Sequence, residues 1–227
     1  MPPDRYARGF FALLTLMLVS TVVTYWLLVW YWHVQWFAGE DRLVEWVTVA
    51  GFVAAAIMGG LSWRTLRHAG HRRIALLHAL LAAVFVLIAL EEISWGQRIF
   101  GFETPDAIAE VNFQDETTLH NLDYFDRVSN TVTVLAAWLA VIGGLIGLAL
   151  HRRRLVTSAN LLLPSLIFVP PLALIIAWNT GGSALRDLAE AFGPRPIGDE
   201  APELLTSVCA AVYAGMVLAK ARLLRRR

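Results

Sequence analysis

Apolar residues fall in six blocks, each about as long as a helix that crosses a bilayer, and polar residues collect between them. The blocks cover 10–32, 44–63, 74–93, 131–150, 158–178 and 204–221. A span needs roughly 20 mostly apolar residues. Backbone N–H and C=O groups in hydrocarbon must be paired within their own segment, so each block predicts a helix. The ten-residue alternating segments of a membrane barrel are absent. The expected fold is all-α: residues 1–227 form one membrane domain, a polytopic bundle of about six transmembrane helices with a partly helical outer cap over 94–130.

Composition agrees with that pattern. Hydrophobic residues make up 57% of the 227 positions and the mean hydropathy is +0.57, too apolar for a soluble domain of this size. The net charge of +1 conceals a sorted distribution. With both termini inside, the cytoplasmic side holds Arg5, Arg8, Arg64, Arg67, Arg72, Arg73, Arg152, Arg153, Arg154, Lys220, Arg222, Arg225, Arg226 and Arg227. Only Arg42, Arg98, Arg127, Arg186 and Arg195 fall outside, so every loop gives the same orientation. Asp4 is the one inside carboxylate, which leaves an acidic outer face that repels nucleic acid and attracts cations. The expected location is a bacterial inner membrane, multi-pass, with both termini cytoplasmic. The preference for arginine over lysine points to a GC-rich bacterial genome. The first block is too long for the apolar region of a signal peptide, and no small-x-small cleavage site follows Trp36. Cys209 is the only cysteine, so neither a disulfide within the chain nor a CxxC motif exists.

Small residues recur every four positions in two blocks: Gly51, Ala55 and Gly59, then Ala136, Ala140 and Gly144. Such stripes let helix backbones approach closely, within one chain or across a dimer. Pro164, Pro170 and Pro171 predict a kink or break in the fifth block. Trp26, Trp30, Tyr31, Trp32, Trp36 and Phe37 crowd the outer end of the first, as an aromatic belt at the headgroup level would.

Glu91 and Glu92 close the third block. Charge at hydrocarbon depth is costly, and a helix C-terminus already carries partial negative charge. Compensation is required, and Arg98 is the nearest source: Gly96 can end the helix and turn the chain back, pairing Arg98 with Glu91 or Glu92 as a structural ion pair. Thr104 and Pro105 read as a helix start. A further helix is expected from Asn112 or Asp115 into the fourth block, with Asn112, Glu116, His120, Asp123 and Arg127 on one face. An amphipathic helix on the membrane surface accounts for that face.

If the face meets the end of the third block, Glu91, Glu92, Glu116, His120 and Asp123 form a candidate site for a divalent metal ion. Oxygen-rich donors with one imidazole suit iron, manganese, magnesium or calcium. Without a metal, Glu91, Glu92, His120 and Asp123 are candidates for catalytic proton transfer. Ser94 and Thr118 are hydroxyl nucleophile candidates without a supporting motif. His33 and His120 near one surface, with His78 and His151 near the other, offer the pairs a two-haem protein needs. His68, His71 and His151, however, sit among arginines like solvated side chains, which disfavours haem or pigment.

The run from Glu91 to Gly101, Glu-Glu-Ile-Ser-Trp-Gly-Gln-Arg-Ile-Phe-Gly, with Leu119-His120-Asn121 downstream, resembles a group of uncharacterised bacterial multi-span membrane proteins. The likeness covers roughly residues 89–125, and the group brings no assigned activity. A looser likeness is to membrane-embedded metal hydrolases of the ceramidase type, which place acid, serine and histidine residues near one membrane face. This chain departs from them in having no His-x-x-x-His pair.

Three functional classes are compatible with the sequence. The preferred one is a structural or accessory subunit of a membrane assembly, with membrane lipids and other subunits or a second copy as partners. The second is a membrane-embedded, metal-dependent enzyme acting on a lipid or lipid-linked substrate at the outer leaflet. The third, a transporter or ion pathway, lacks mid-membrane charge in the first, second and fourth blocks.

Overall fold

The computed structural model describes residues 12, 16, 17, 19–21, 23, 43–109, 117–118, 123–152, 162–180 and 200–225. All regular elements among them are helical: α1 (Leu43–His68), α2 (Arg72–Glu92), the short α3 (Gln97–Phe100) and α4 (Asp106–Ala109), α5 (Asp123–Arg152), α6 (Val169–Thr180) and α7 (Glu200–Arg225). Short 3-10 turns cover Ser94–Gly96 and Leu166–Phe168. Among the described residues, four helices are long and apolar enough to cross a membrane: Leu43–His68, Arg72–Glu92, Thr131–Leu150 and Pro202–Arg225. Large apolar side chains stand exposed along them, among them Ile57, Leu80, Leu87, Leu139 and Ile146, as on a membrane protein. The first predicted block lies mostly outside the described residues, including its aromatic cluster. The part that is described is helical, with the Ser20 and Thr21 hydroxyls donating to the Met17 carbonyl at 2.9 and 2.7 Å.

Helix α1 is central, with α2 antiparallel and α7 parallel to it. The Gly51-Ala55-Gly59 stripe makes both approaches possible, and it does so within the chain. A Cβ on Gly51 would lie 2.6 Å from Ser207 Oγ on α7, and one on Gly59 would lie 3.0 Å from Ala82 Cβ on α2. Between these contacts Phe52 meets Phe85 with ring centroids 6.2 Å apart, and Ala55 is fully buried. At the far end Leu66, Ala75 and Ala221 close the three-helix core. Without a hydrophobic force between helices in lipid, such close van der Waals contact supplies much of the association.

The other half of the bundle packs α5 and α6 against α7 around Ile167, Phe168, Leu172, Ile175, Leu205 and Cys209, with Met17 from the first block in the same cluster. The small-residue face of α5 matches the expected one at Ala140 and Gly144 but not at Ala136. Ala136 is exposed, whereas Ala137, Gly143 and Gly144 are buried. The glycines face the non-helical stretch before α6: a Cβ on Gly143 would lie 3.1 Å from Pro164 Cδ, and one on Gly147 would lie 3.4 Å from Leu163 Cβ.

The fifth block is broken, one of the two outcomes its prolines predicted. Pro170 and Pro171 do not kink a helix; they open α6, where the absent N–H groups are ones the first turn leaves unpaired in any case. Residues 163–165 are not helical. Two carbonyls just before α6 are capped from α7: Tyr213 Oη donates to the Leu162 carbonyl at 2.8 Å and Lys220 Nζ to that of Leu163 at 3.4 Å. Irregular backbone among membrane helices is tolerated where its polar groups are met in this way.

Charge is sorted in space as the sequence implied. Glu45, Glu91, Glu92 and Glu203 lie at one end of the bundle, and Arg64, Arg72, Arg73, Arg222 and Arg225 lie at the other.

Candidate functional site

The site is built on the end of α2. The helix runs to Glu92, and Ile93 caps it with φ −100° and ψ 20°. Three consecutive residues then take left-handed backbone: Ser94 at φ 49°, Trp95 at φ 55° and Gly96 at φ 88°. Glycine adopts this conformation readily, but serine and tryptophan each lose roughly 1–2 kcal/mol in it. Such strain persists only where the surroundings over-determine the backbone. The helix therefore ends three residues before the glycine expected to end it, and the reversal is carried by side chains that oppose it.

Contacts on both sides hold the turn. The Trp95 indole N–H donates to Glu91 Oε1, four residues back. The Gly96 N–H donates to the Ile93 carbonyl at 2.8 Å. Ser94 is fully buried. A Cβ on Gly96 would meet the Phe100 ring at 3.1 Å, so both its φ and its surroundings select glycine. Gly101, at φ 65°, then ends α3, its N–H donating to the Gln97 carbonyl at 2.7 Å.

Gln97 ties the following chain to this turn. Its Nε2 donates to Thr104 Oγ1 at 2.8 Å, and its Oε1 accepts from the Thr117 N–H at 2.7 Å. One amide thus joins points 7 and 20 residues away along the chain. Pro105 starts α4 as expected, its carbonyl accepting from the N–H groups of Ile108 and Ala109 at 2.8 and 3.0 Å. Thr117 Oγ1 is buried and has no hydrogen-bond partner among the described residues.

Glu91 and Glu92 are half-buried at the helix end, as the sequence placed them. Glu116 and His120 lie outside the described residues, as do the side chains of Arg98 and Asp123. The expected helix from Asn112 or Asp115 is not continuous. Thr117 and Thr118 are non-helical, and the described helix begins at Asp123. The four-residue spacing of Glu116 and His120 therefore does not by itself put them on one face, because the interval between them is broken. Among the described residues, no group of three or more His, Cys, Asp or Glu could hold a metal ion. The nucleophile candidates Ser94 and Thr118 are both buried, at 0% and 1% exposure, and closed to a substrate in this conformation.

Two residues in the recognised run, Trp95 and Gln97, carry roles that spacing did not reveal. The signal for Gln97 was its chemistry: an amide just past the end of a span has a donor and an acceptor to satisfy. For Trp95 it was a donor-only indole four residues from a carboxylate.

The turn also presents an apolar surface. Trp95, Ile99, Phe100 and Phe102 are 41%, 54%, 79% and 42% exposed at the acidic end of the bundle. His78, weighed above as a haem ligand, is instead buried at 2% exposure inside the bundle, its ring centroid 6.4 Å from that of Tyr213. His33 and the side chain of His151 lie outside the described residues. No protein-family model, curated protein or solved structure matches this chain.

Proposed function

We propose that the chain is a structural or accessory subunit of a larger membrane assembly, with six spans in a bacterial inner membrane and both termini on the cytoplasmic side. The observation that carries this reading is the use of Glu91 and Gln97. Both hold the chain around a strained turn, and that turn displays Trp95, Ile99, Phe100 and Phe102. A cluster of exposed apolar side chains on a rigid support suits a protein contact at the headgroup level. The clustering of Lys and Arg at the opposite end supports the orientation.

The test is a photo-crosslinking residue in place of Phe100, compared with one in place of Leu139 on the exposed face of α5. The expected result is a discrete polypeptide adduct at position 100 and lipid adducts at 139. A second reading, an enzyme acting on a lipid or lipid-linked substrate, draws on the Thr117 hydroxyl beside Gln97, which is buried and without a partner among the described residues. A monomer with no adduct at 100 and one bound metal ion, lost in both Glu92→Gln and His120→Ala, would replace the first reading by the second.

A further inference from the structure

The opposite end of the bundle holds a groove of about 580 Å³ between α1 and α7, lined by Leu61, Arg64, Thr65, His68, Arg222 and Arg225. That volume lies within the roughly 300–1,000 Å³ common for small-ligand pockets. Because the two helices run in parallel, both C-termini open at this end, and their arginines face one space. Each C-terminus contributes about half a negative charge, so three guanidinium groups leave a surplus of about two positive charges. Among the described residues, no carboxylate lies at this end to offset it. Arg67 is differently placed: its guanidinium carbon stacks over the Trp63 ring, 5.9 Å from the centroid, and it does not line the groove.

Leu61 lines the groove, and the apolar face continues one turn further along α1 to Ile57, beyond the lining. Ile57 and Leu61, at 59% and 38% exposure, share the helix face that carries Arg64, Thr65 and His68. The Thr65 hydroxyl is turned back to the Leu61 carbonyl at 2.8 Å, so the wall below the arginines offers no further free donor. A ligand that fits must have an anionic head and an apolar tail directed into the membrane. We propose that the groove binds the phosphate-bearing headgroup of an anionic membrane lipid, with Arg64, Arg222 and Arg225 on the phosphate and an acyl chain along Leu61 and Ile57. The three guanidiniums supply the multiple donors that phosphate oxygens accept.

The test uses the full-length protein, stripped of lipid in detergent and re-exposed to equimolar phosphatidylglycerol and phosphatidylcholine, with retained lipid read by native mass spectrometry. One phosphatidylglycerol should be retained with a preference of about tenfold or more. The double variant Arg222→Gln/Arg225→Gln should lose that preference, and Arg64→Gln on the other helix should weaken it. The control Arg72→Gln/Arg73→Gln, with both arginines outside the groove, should keep it. Equal retention of both lipids by the wild type, or equal loss in the control, overturns the site. A third arm adds inorganic phosphate to the delipidated protein. Thermal stabilisation equal to that given by phosphatidylglycerol overturns the lipid assignment in favour of a free anion.

Discussion

Trp95 donates its indole N–H to Glu91 across one turn, while its own backbone sits at φ 55°, where tryptophan is disfavoured. The bond and the strain act in opposite directions and can be measured separately. Trp95→Phe keeps an aromatic ring but removes the donor. It should destabilise the end of α2 by about 1.5–3 kcal/mol, the range for hydrogen bonds to charged groups. Trp95→Gly removes the same bond but relieves roughly 1–2 kcal/mol of backbone strain. The glycine variant should therefore melt no lower than the phenylalanine variant, and faster amide exchange over 93–101 in the phenylalanine variant checks the location.

Gln97 bonds to Thr104 through its donor and to the Thr117 N–H through its acceptor. Gln97→Glu keeps an acceptor for the Thr117 N–H, and the Thr104 hydroxyl can turn to donate to its carboxylate, whereas Gln97→Ala loses both bonds. With each bond worth roughly 0.5–1.5 kcal/mol, alanine should cost about 1–3 kcal/mol. Limited proteolysis should show new cleavage near 104 and near 117 in the alanine variant alone. Equal cleavage near 117 in both would contradict the division of labour.

Helices α1 and α7 approach closely at Gly51. Its hypothetical Cβ lies 2.6 Å from Ser207 Oγ and 2.9 Å from Ser207 Cβ. Gly51→Ala should lower stability in detergent by about 1–3 kcal/mol through overpacking. Ser207→Gly in the same chain removes both clashing atoms and should recover part of that loss. No recovery would place the α1–α7 contact elsewhere.

Two buried polar groups near the broken span should respond with opposite signs. Tyr213 Oη satisfies the Leu162 carbonyl, so Tyr213→Phe should cost about 1–3 kcal/mol. His78 Nε2 is buried with no hydrogen-bond partner among the described residues, so His78→Leu should be neutral or stabilising in a thermal melt. A strongly destabilising His78→Leu would show that the imidazole has a bound partner.

Orientation is open to labelling. Single cysteines at Ile108 and Glu190, in a Cys209→Ala background, should react with an impermeant reagent from the periplasmic side. Cysteines at Ala69 and Arg153 should react only from the cytoplasmic side. The reverse pattern would invert the proposed topology.

The membrane character and charge sorting were legible in the sequence because both depend on residue type alone. The block at 44–63 lies within α1, 74–93 overruns α2 by one residue, and 204–221 lies within α7. The Gly51-Ala55-Gly59 stripe also foretold a close approach, since small residues set the distance whichever helix faces them. The stripe on α5 held at Ala140 and Gly144 but failed at Ala136, and it missed Gly143 and Gly147, because part of its partner is not a helix: Leu163 and Pro164 lie against those two glycines. The prolines of the fifth block foretold its break, but not that Pro170 and Pro171 open α6, because position within a helix cannot be judged before its start is known. At the site, Glu91 and Glu92 stood out by cost. The left-handed turn did not, because a serine and a tryptophan carry no local preference for it. The predicted face from Asn112 to Arg127 assumed an unbroken helix, and long-range bonding of Thr117 to Gln97 overrode that local periodicity.

The cap on Leu163 has a practical consequence. Lys220 is the only lysine among 227 residues. Acylating reagents thus have a single side-chain amine to attack, and in the folded molecule that amine is engaged with a carbonyl of the chain. Its rate of modification is a one-site clock for the parting of α7 from the irregular stretch before α6, readable by mass in intact membranes without introducing any probe.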